Sequence, residues 1–289
     1  MGQSIFQNLD ARNRLENWYE KFLERANVKT ESRYVDSSHG KSHILFAGDK
    51  SHPPLVCLHG SLASSAHLLS ELRLLAEHFY IIAPDLPGQS VRGLEKHMPL
   101  HDDSLSSWLI EVLNHLHLKE FNLLGVSWGG FVALQTTAST PQRVKRLVLI
   151  VPAGIVSGST WKGLTQIALP MALYKMFPSE QRLRNFVAPM FSTWDEDWAH
   201  YMGDAVRDFV LSLKVPPLAK TDALQAFNNP ALIIGGRDDI TFPGDKLIER
   251  AKVLMPQAEV ELIENCRHSP PTTDDFKAWL ARRITQFLK

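Results

Sequence analysis

The stretch Phe121-Asn122-Leu123-Leu124-Gly125-Val126-Ser127-Trp128-Gly129-Gly130-Phe131-Val132-Ala133-Leu134-Gln135 joins a short apolar run to a helix-forming run through a glycine-flanked serine. The first half predicts a buried strand and the second a helix, so Ser127 falls at a sharp strand-to-helix turn. Such a turn strains the backbone at its apex and brings the flanking chain close, which is why small residues at 125 and 129 matter. Gly-x-Ser-x-Gly is a weak signal alone; its context is what gives it weight.

Outward from this turn the chain repeats the same alternation. Short apolar runs at 55–58, 80–83, 121–126, 147–151, 231–234 and 260–263 are separated by amphipathic stretches at 65–78, 103–117, 128–139 and 244–254, and a last helix is expected over 272–288. Strands apolar throughout and separated by helices predict an α/β fold with a mostly parallel central sheet covered on both faces. Before them, residues 5–26 read as an amphipathic helix, and the stretches 32–36 and 43–47 as a hairpin around Ser37-Ser38-His39-Gly40-Lys41.

The alternation breaks once, between Pro152 and Asn228, where the sequence is helical or irregular and rich in aromatics. An insertion this long is not expected to be one structureless loop. The expected division is therefore a core of residues 1–151 and 229–289, with residues 1–27 as its N-terminal amphipathic helix. A helical cap of residues 152–228 is inserted after the sixth strand. Met171, Met176 and Met190, with the aromatics, suggest that the cap faces an apolar part of a ligand.

Composition narrows the function. Thirty-one basic residues balance thirty-one acidic ones among 289, and 44% of the chain is hydrophobic. A balanced charge gives no reason to expect nucleic acid or a membrane as partner. Cys57 and Cys266 do not make a secreted disulfide framework and read as reduced thiols. Met1-Gly2-Gln3-Ser4-Ile5-Phe6 lacks the basic and apolar regions of a signal peptide, and Phe6 stands where a myristoylation signal wants Ser or Thr. No apolar run approaches the ~18 residues of a membrane span. A cytoplasmic location is the expectation; the oligomeric state, monomer or homodimer, is left open.

A serine hydroxyl needs a neighbouring base to become a nucleophile. His268, in Glu264-Asn265-Cys266-Arg267-His268-Ser269-Pro270, follows the last expected strand and is the candidate. An acid must hold the other imidazole nitrogen and stabilise the imidazolium. Asp238 and Asp239 compete for that role, directly after the run 231–234 in Gly235-Gly236-Arg237-Asp238-Asp239-Ile240-Thr241-Phe242-Pro243. Backbone N–H groups of Trp128, beside the nucleophile, and of Ser61, in the His59-Gly60-Ser61 turn, are the candidate oxyanion hole. None of these roles calls for a metal or an organic cofactor.

With these residues in place the chain resembles the α/β-hydrolase-fold superfamily from about Lys41 onward, most closely its capped bacterial carboxylesterases. The resemblance rests on His59-Gly60, Pro84-Asp85-Leu86-Pro87-Gly88, the Gly125 to Gly129 turn, and Gly236-Arg237-Asp238-Asp239 with Pro243 followed by His268. It implies that the acid is Asp239, four residues before such a proline. It also implies cleavage of a carboxylic ester with an apolar or aromatic part, through an acyl-enzyme on Ser127. Carbon–carbon hydrolysis, lactone hydrolysis and cofactor-free haloperoxidation share the same triad, and a slow ligand-sensing protein of this fold is a rival of another class. Ser127 disfavours members with an aspartate nucleophile. Two departures stand out: Gly88-Gln89-Ser90 shortens the usual Gly-x-Gly-x-Ser at the pocket rim, and Arg267 replaces the glycine that usually precedes the histidine.

Overall fold

A computed structural model describes residues 4–212 and 214–289; Met1, Gly2 and Gln3, where the myristoylation reading begins, and Leu213, within the expected cap, lie outside the described residues. Strands β1 (Thr30–Ser37), β2 (Gly40–Ala47), β3 (Pro54–Leu58), β4 (Tyr80–Pro84), β5 (Phe121–Val126), β6 (Val144–Ile150), β7 (Ala231–Gly236) and β8 (Glu259–Ile263) form one sheet. Its order is β1-β2-β4-β3-β5-β6-β7-β8. The hairpin β1–β2 and the β2–β4 pair are antiparallel and every other pair is parallel.

The apolar runs form strands here because both of their faces are covered. On β5, Phe121 and Leu123 join one core with Trp108, Leu109 and Val132, while Leu124 joins the opposite core with Leu69, Leu280 and Ile284. Strand β3 splits the same way, Val56 and Leu58 against Leu55 and Cys57. One face is thus covered by α3 (Ser104–His115), α4 (Trp128–Ser139) and α9 (Gly244–Leu254), the other by α2 (Ser65–Leu72) and α10 (Asp274–Leu288). Period-two side-chain alternation feeding two apolar layers explains why these runs carry no polar face.

The first helix starts later than the hydrophobic pattern predicts. Helix α1 spans Leu9–Ala26, because the Asn8 side chain accepts a hydrogen bond from the Ala11 N–H and caps it. Ile5 lies in a bend and Phe6 forms an isolated antiparallel bridge with Phe209: Val210 N–H donates to the Ile5 carbonyl, and the Phe6 ring packs on Phe209. The expected helix 65–78 also divides, into α2 and a tighter 3₁₀ segment Arg73–Glu77 that leads into β4.

Between β6 and β7 lie α5 (Thr160–Gly163), a π-helical turn (Leu164–Ala168), α6 (Leu169–Met176), α7 (Glu180–Val187) and α8 (Glu196–Asp208). Helix α1 reaches across to this inserted segment. Arg14 meets Asp208 at 2.6 Å, Lys21 meets Asp197 at 2.7 Å, Trp18 Nε1 donates to Asp204 at 2.8 Å, and Arg25 pairs with Asp195. The two cysteines are buried free thiols, and burial pushes the Cys266 thiol up to about 11.

Candidate active site

Ser127 sits between β5 and α4 with φ 49° and ψ −112°, in a region that non-glycine residues rarely occupy. Its N–H donates to the Ile150 carbonyl, and its own carbonyl accepts from the Gly130 and Ala153 N–H groups. These bonds hold the strained apex. A Cβ added at Gly129 would lie 2.2 Å from the Leu58 carbonyl oxygen, and one at Gly125 would lie 2.5 Å from the Gly129 oxygen. Both glycines are therefore required by backbone approach.

The structure brings Ser127, His268 and Asp239 together. Ser127 Oγ lies 3.0 Å from His268 Nε2, and His268 Nδ1 lies 2.8 Å from Asp239 Oδ2. An ionised Asp239 can only accept, so Nδ1 carries the proton and Nε2 is free to take the proton of Ser127. The other oxygen, Asp239 Oδ1, accepts from the Thr241 and Phe242 N–H groups at 2.7 and 3.0 Å. Asp239 is 2% exposed, whereas the Asp238 side chain points to solvent. Burial would raise the Asp239 carboxyl, but the His268 charge and these hydrogen bonds hold it below its usual range. Burial likewise works against the His268 cation; the Asp239 charge and hydrogen bond outweigh it and raise the imidazole above its usual range.

Arg267 does not confront the imidazolium. Its guanidinium donates to the Ala188 and Phe191 carbonyls, just beyond the end of α7. Its N–H donates to Ser192 Oγ, and Ser269 continues the seam by donating to the Met190 carbonyl at 2.7 Å. The loop that carries His268 is thus stitched to the inserted segment.

Ser61 and Trp128 both line the cavity at Ser127, and a Cβ at Gly60 would stand 3.6 Å from Ser127 Cβ. The Ser61 turn is held by a residue that sequence reasoning treated only as part of a rim. Gln89 Oε1 accepts from the Ser61 hydroxyl at 3.0 Å and from the Leu62 N–H at 3.2 Å. His59 is a brace: Nδ1 donates to the Gly60 carbonyl, Nε2 accepts from the Leu86 N–H, and burial lowers its pKa.

A second Ser–His–Asp chain runs from Ser32 Oγ through His43 to Asp85, with both hydrogen bonds 2.6 Å long. Ser32 lies within strand β1, not at a strained elbow, and neither Ser32 nor His43 lines the cavity. Asp85 is also committed to Ser65 and Ser90. Triad-like distances alone do not make a site.

The cavity over Ser127 has a volume of about 430 Å³, within the range of sites for small organic ligands. One side is formed by Ile167, Met171, Met190, Phe191, Trp198 and Met202 of the inserted segment; the other runs between α2 and α10, past Leu68 and Leu280, to Glu71 and Lys277, paired at 3.0 Å. Of the three methionines named from the sequence, Met171 and Met190 line the cavity, whereas Met176 is 67% exposed.

The family model of the alpha/beta hydrolase family matches residues 55–282. The chain is 26% identical over 265 residues to carboxylesterase YbfK of Bacillus subtilis, covering 86% of each chain. It is 21% identical over 253 residues to the uncharacterized carboxylesterase nap of the same organism, covering 86% of this chain and 84% of that one. In structure it is similar to naproxen esterase from Bacillus subtilis, with a TM-score of 0.84 at 20% identity over 98% of this chain and 100% of that one.

Proposed function

The chain belongs to the alpha/beta hydrolase family, and from that premise we propose that it is a serine esterase acting on carboxylic esters with an apolar part. The observation that carries this reading is the continuous relay from the strained Ser127 through His268 to the buried Asp239. Relatives named as carboxylesterases support the choice of ester.

In the proposed reaction the Ser127 hydroxyl attacks the ester carbonyl while His268 Nε2 takes its proton. Asp239 keeps the imidazole in the accepting tautomer and stabilises the cation that forms. Negative charge on the former carbonyl oxygen is held by the Ser61 and Trp128 N–H groups. His268 then returns the proton to the departing alkoxide, which leaves as an alcohol, and Ser127 keeps the acyl group. Water enters, gives a proton to His268 and attacks the acyl carbon; the carboxylic acid leaves and Ser127 regains its proton. The segment 152–228 acts as a cap in this reading, supplying Ile167, Met171 and Met190 to the apolar wall.

A slow ligand-sensing protein would be favoured by a small enclosed pocket and an apolar outer face. The outer face of residues 160–177 is apolar, with Trp161 71% and Met176 67% exposed, and so meets the second criterion. The cavity's volume fits a drug-sized substrate, and turnover decides between the two readings. Hydrolysis of p-nitrophenyl and aryl-propionate esters tests the proposal. Wild type should turn them over, and Ser127→Ala should lose roughly 10³-fold or more in kcat. Equal rates for the two proteins would refute it.

A further inference from the structure

The helical stretch 160–176 is apolar on both sides, yet only one side is covered. Ile167, Met171 and Tyr174 recur at helical spacing on the inner side, the first two against the cavity and Tyr174 buried. Leu169, Leu173 and Met176 recur at the same spacing on the outer side and are 53, 43 and 67% exposed. Trp161, Leu164 and Phe177 extend this face and are 71, 53 and 55% exposed. A soluble helix that is apolar all round needs a second apolar partner, and large side chains exposed together mark a contact surface.

Within residues 160–177 the charges have one sign, and Glu180 follows just beyond the end of the face. No Asp or Glu occurs between Glu120 and Glu180, while Lys162 and Lys175 lie within the stretch and Arg182 sits over the Phe177 ring. The whole chain is balanced, and the balance hides this local excess. Two lysines on flexible stems beside an exposed indole and a leucine row match a surface with an apolar interior and anionic headgroups. Among the described residues no helix is long and apolar enough to cross a membrane, so the contact would lie in the plane of that surface.

We propose that the outer face of residues 160–177 docks on an anionic phospholipid bilayer. The inner face of the same helix walls the cavity, so docking sets the cavity beside a source of amphiphiles. That the substrate is one of those amphiphiles rests on the esterase reading; the docking itself does not.

Co-sedimentation with vesicles tests the docking on full-length Ser127→Ala protein, which leaves the lipid esters intact. Vesicles of phosphatidylcholine alone are compared with vesicles that also contain phosphatidylglycerol. The protein should pellet with the anionic vesicles roughly tenfold more than with the neutral ones. Leu169→Glu with Leu173→Glu should abolish pelleting, and Lys162→Glu with Lys175→Glu should remove the preference for anionic lipid. With Ser127 intact, both pairs should hydrolyse soluble p-nitrophenyl acetate within about twofold of wild type, which shows that they fold. Protein that stays in the supernatant with anionic vesicles would overturn the proposal. So would a wild-type dimer that the Leu169 and Leu173 substitutions split, because a second copy would then cover the face.

Discussion

Arg267 donates from its guanidinium to the carbonyl of Ala188, so the residue preceding His268 is fastened to the end of α7. Position of the imidazole and position of the inserted helices are coupled through this bond. The coupling gives a chemical reason for a bulky cation where the resemblance implies glycine.

Arg267→Ala should therefore act at a distance. Removing a charged donor from two carbonyls near the surface costs about 1–2 kcal/mol, or a fall of about 2–4 °C or somewhat more in Tm. Loosening His268 should lower kcat several-fold with a smaller change in KM. Thermal melts and ester kinetics on the same preparation check both.

The pH dependence has a definite sign. His268 must be neutral to accept the Ser127 proton, and Asp239 raises its pKa. Activity should fall as pH drops, with a midpoint above the ordinary histidine value of about 6.5. Asp239→Asn should move that midpoint downward and cut kcat by roughly 10³ to 10⁴. For stability, the raised His268 contributes fully below about pH 6.5 and loses its contribution as pH rises through its folded value. The lowered Asp239 contributes fully above about pH 3.9 and loses its contribution as pH falls through its folded value. Rate profiles of both proteins and melts across pH check these signs.

Gly129 and Gly163 make a matched pair. Gly129→Ala places a Cβ against backbone oxygens and should cost at least about 2–3 kcal/mol, with loss of activity. Gly163 is helical, with nothing within 4 Å of an added Cβ. Gly163→Ala should be neutral or stabilise by up to about 1 kcal/mol. Urea unfolding distinguishes the two.

Gln89→Leu deletes the acceptor that holds the Ser61 turn. If the Ser61 N–H stabilises the oxyanion, kcat should fall by about 10-fold or more while KM changes little. Gln89→Glu keeps an acceptor and should recover part of the loss. Steady-state kinetics on a soluble ester measure both.

The sheet was legible in the sequence because a strand buried on both faces must be apolar at nearly every position, as Leu123 and Leu124 are on opposite sides of β5. The elbow was legible because backbone approach admits only glycine at 125 and 129. Helix α1 was placed too early because Ile5 and Phe6 continue an apolar pattern that the Asn8 cap interrupts. Gln89 was missed because its hydrogen bonds reach back 28 and 27 residues, beyond any local spacing rule. The outward direction of Met176 was not legible either, because the stretch 160–176 is apolar on both sides and contains a π-helical turn that shifts its phase.

The most direct test of the central claim is stoichiometric labelling with a fluorophosphonate, read by intact mass and peptide mapping. The proposed mechanism predicts one adduct per chain, on Ser127, absent in Ser127→Ala and greatly slowed in His268→Ala. An adduct on another residue, Ser32 for instance, or labelling of Ser127→Ala at the wild-type rate, would contradict it.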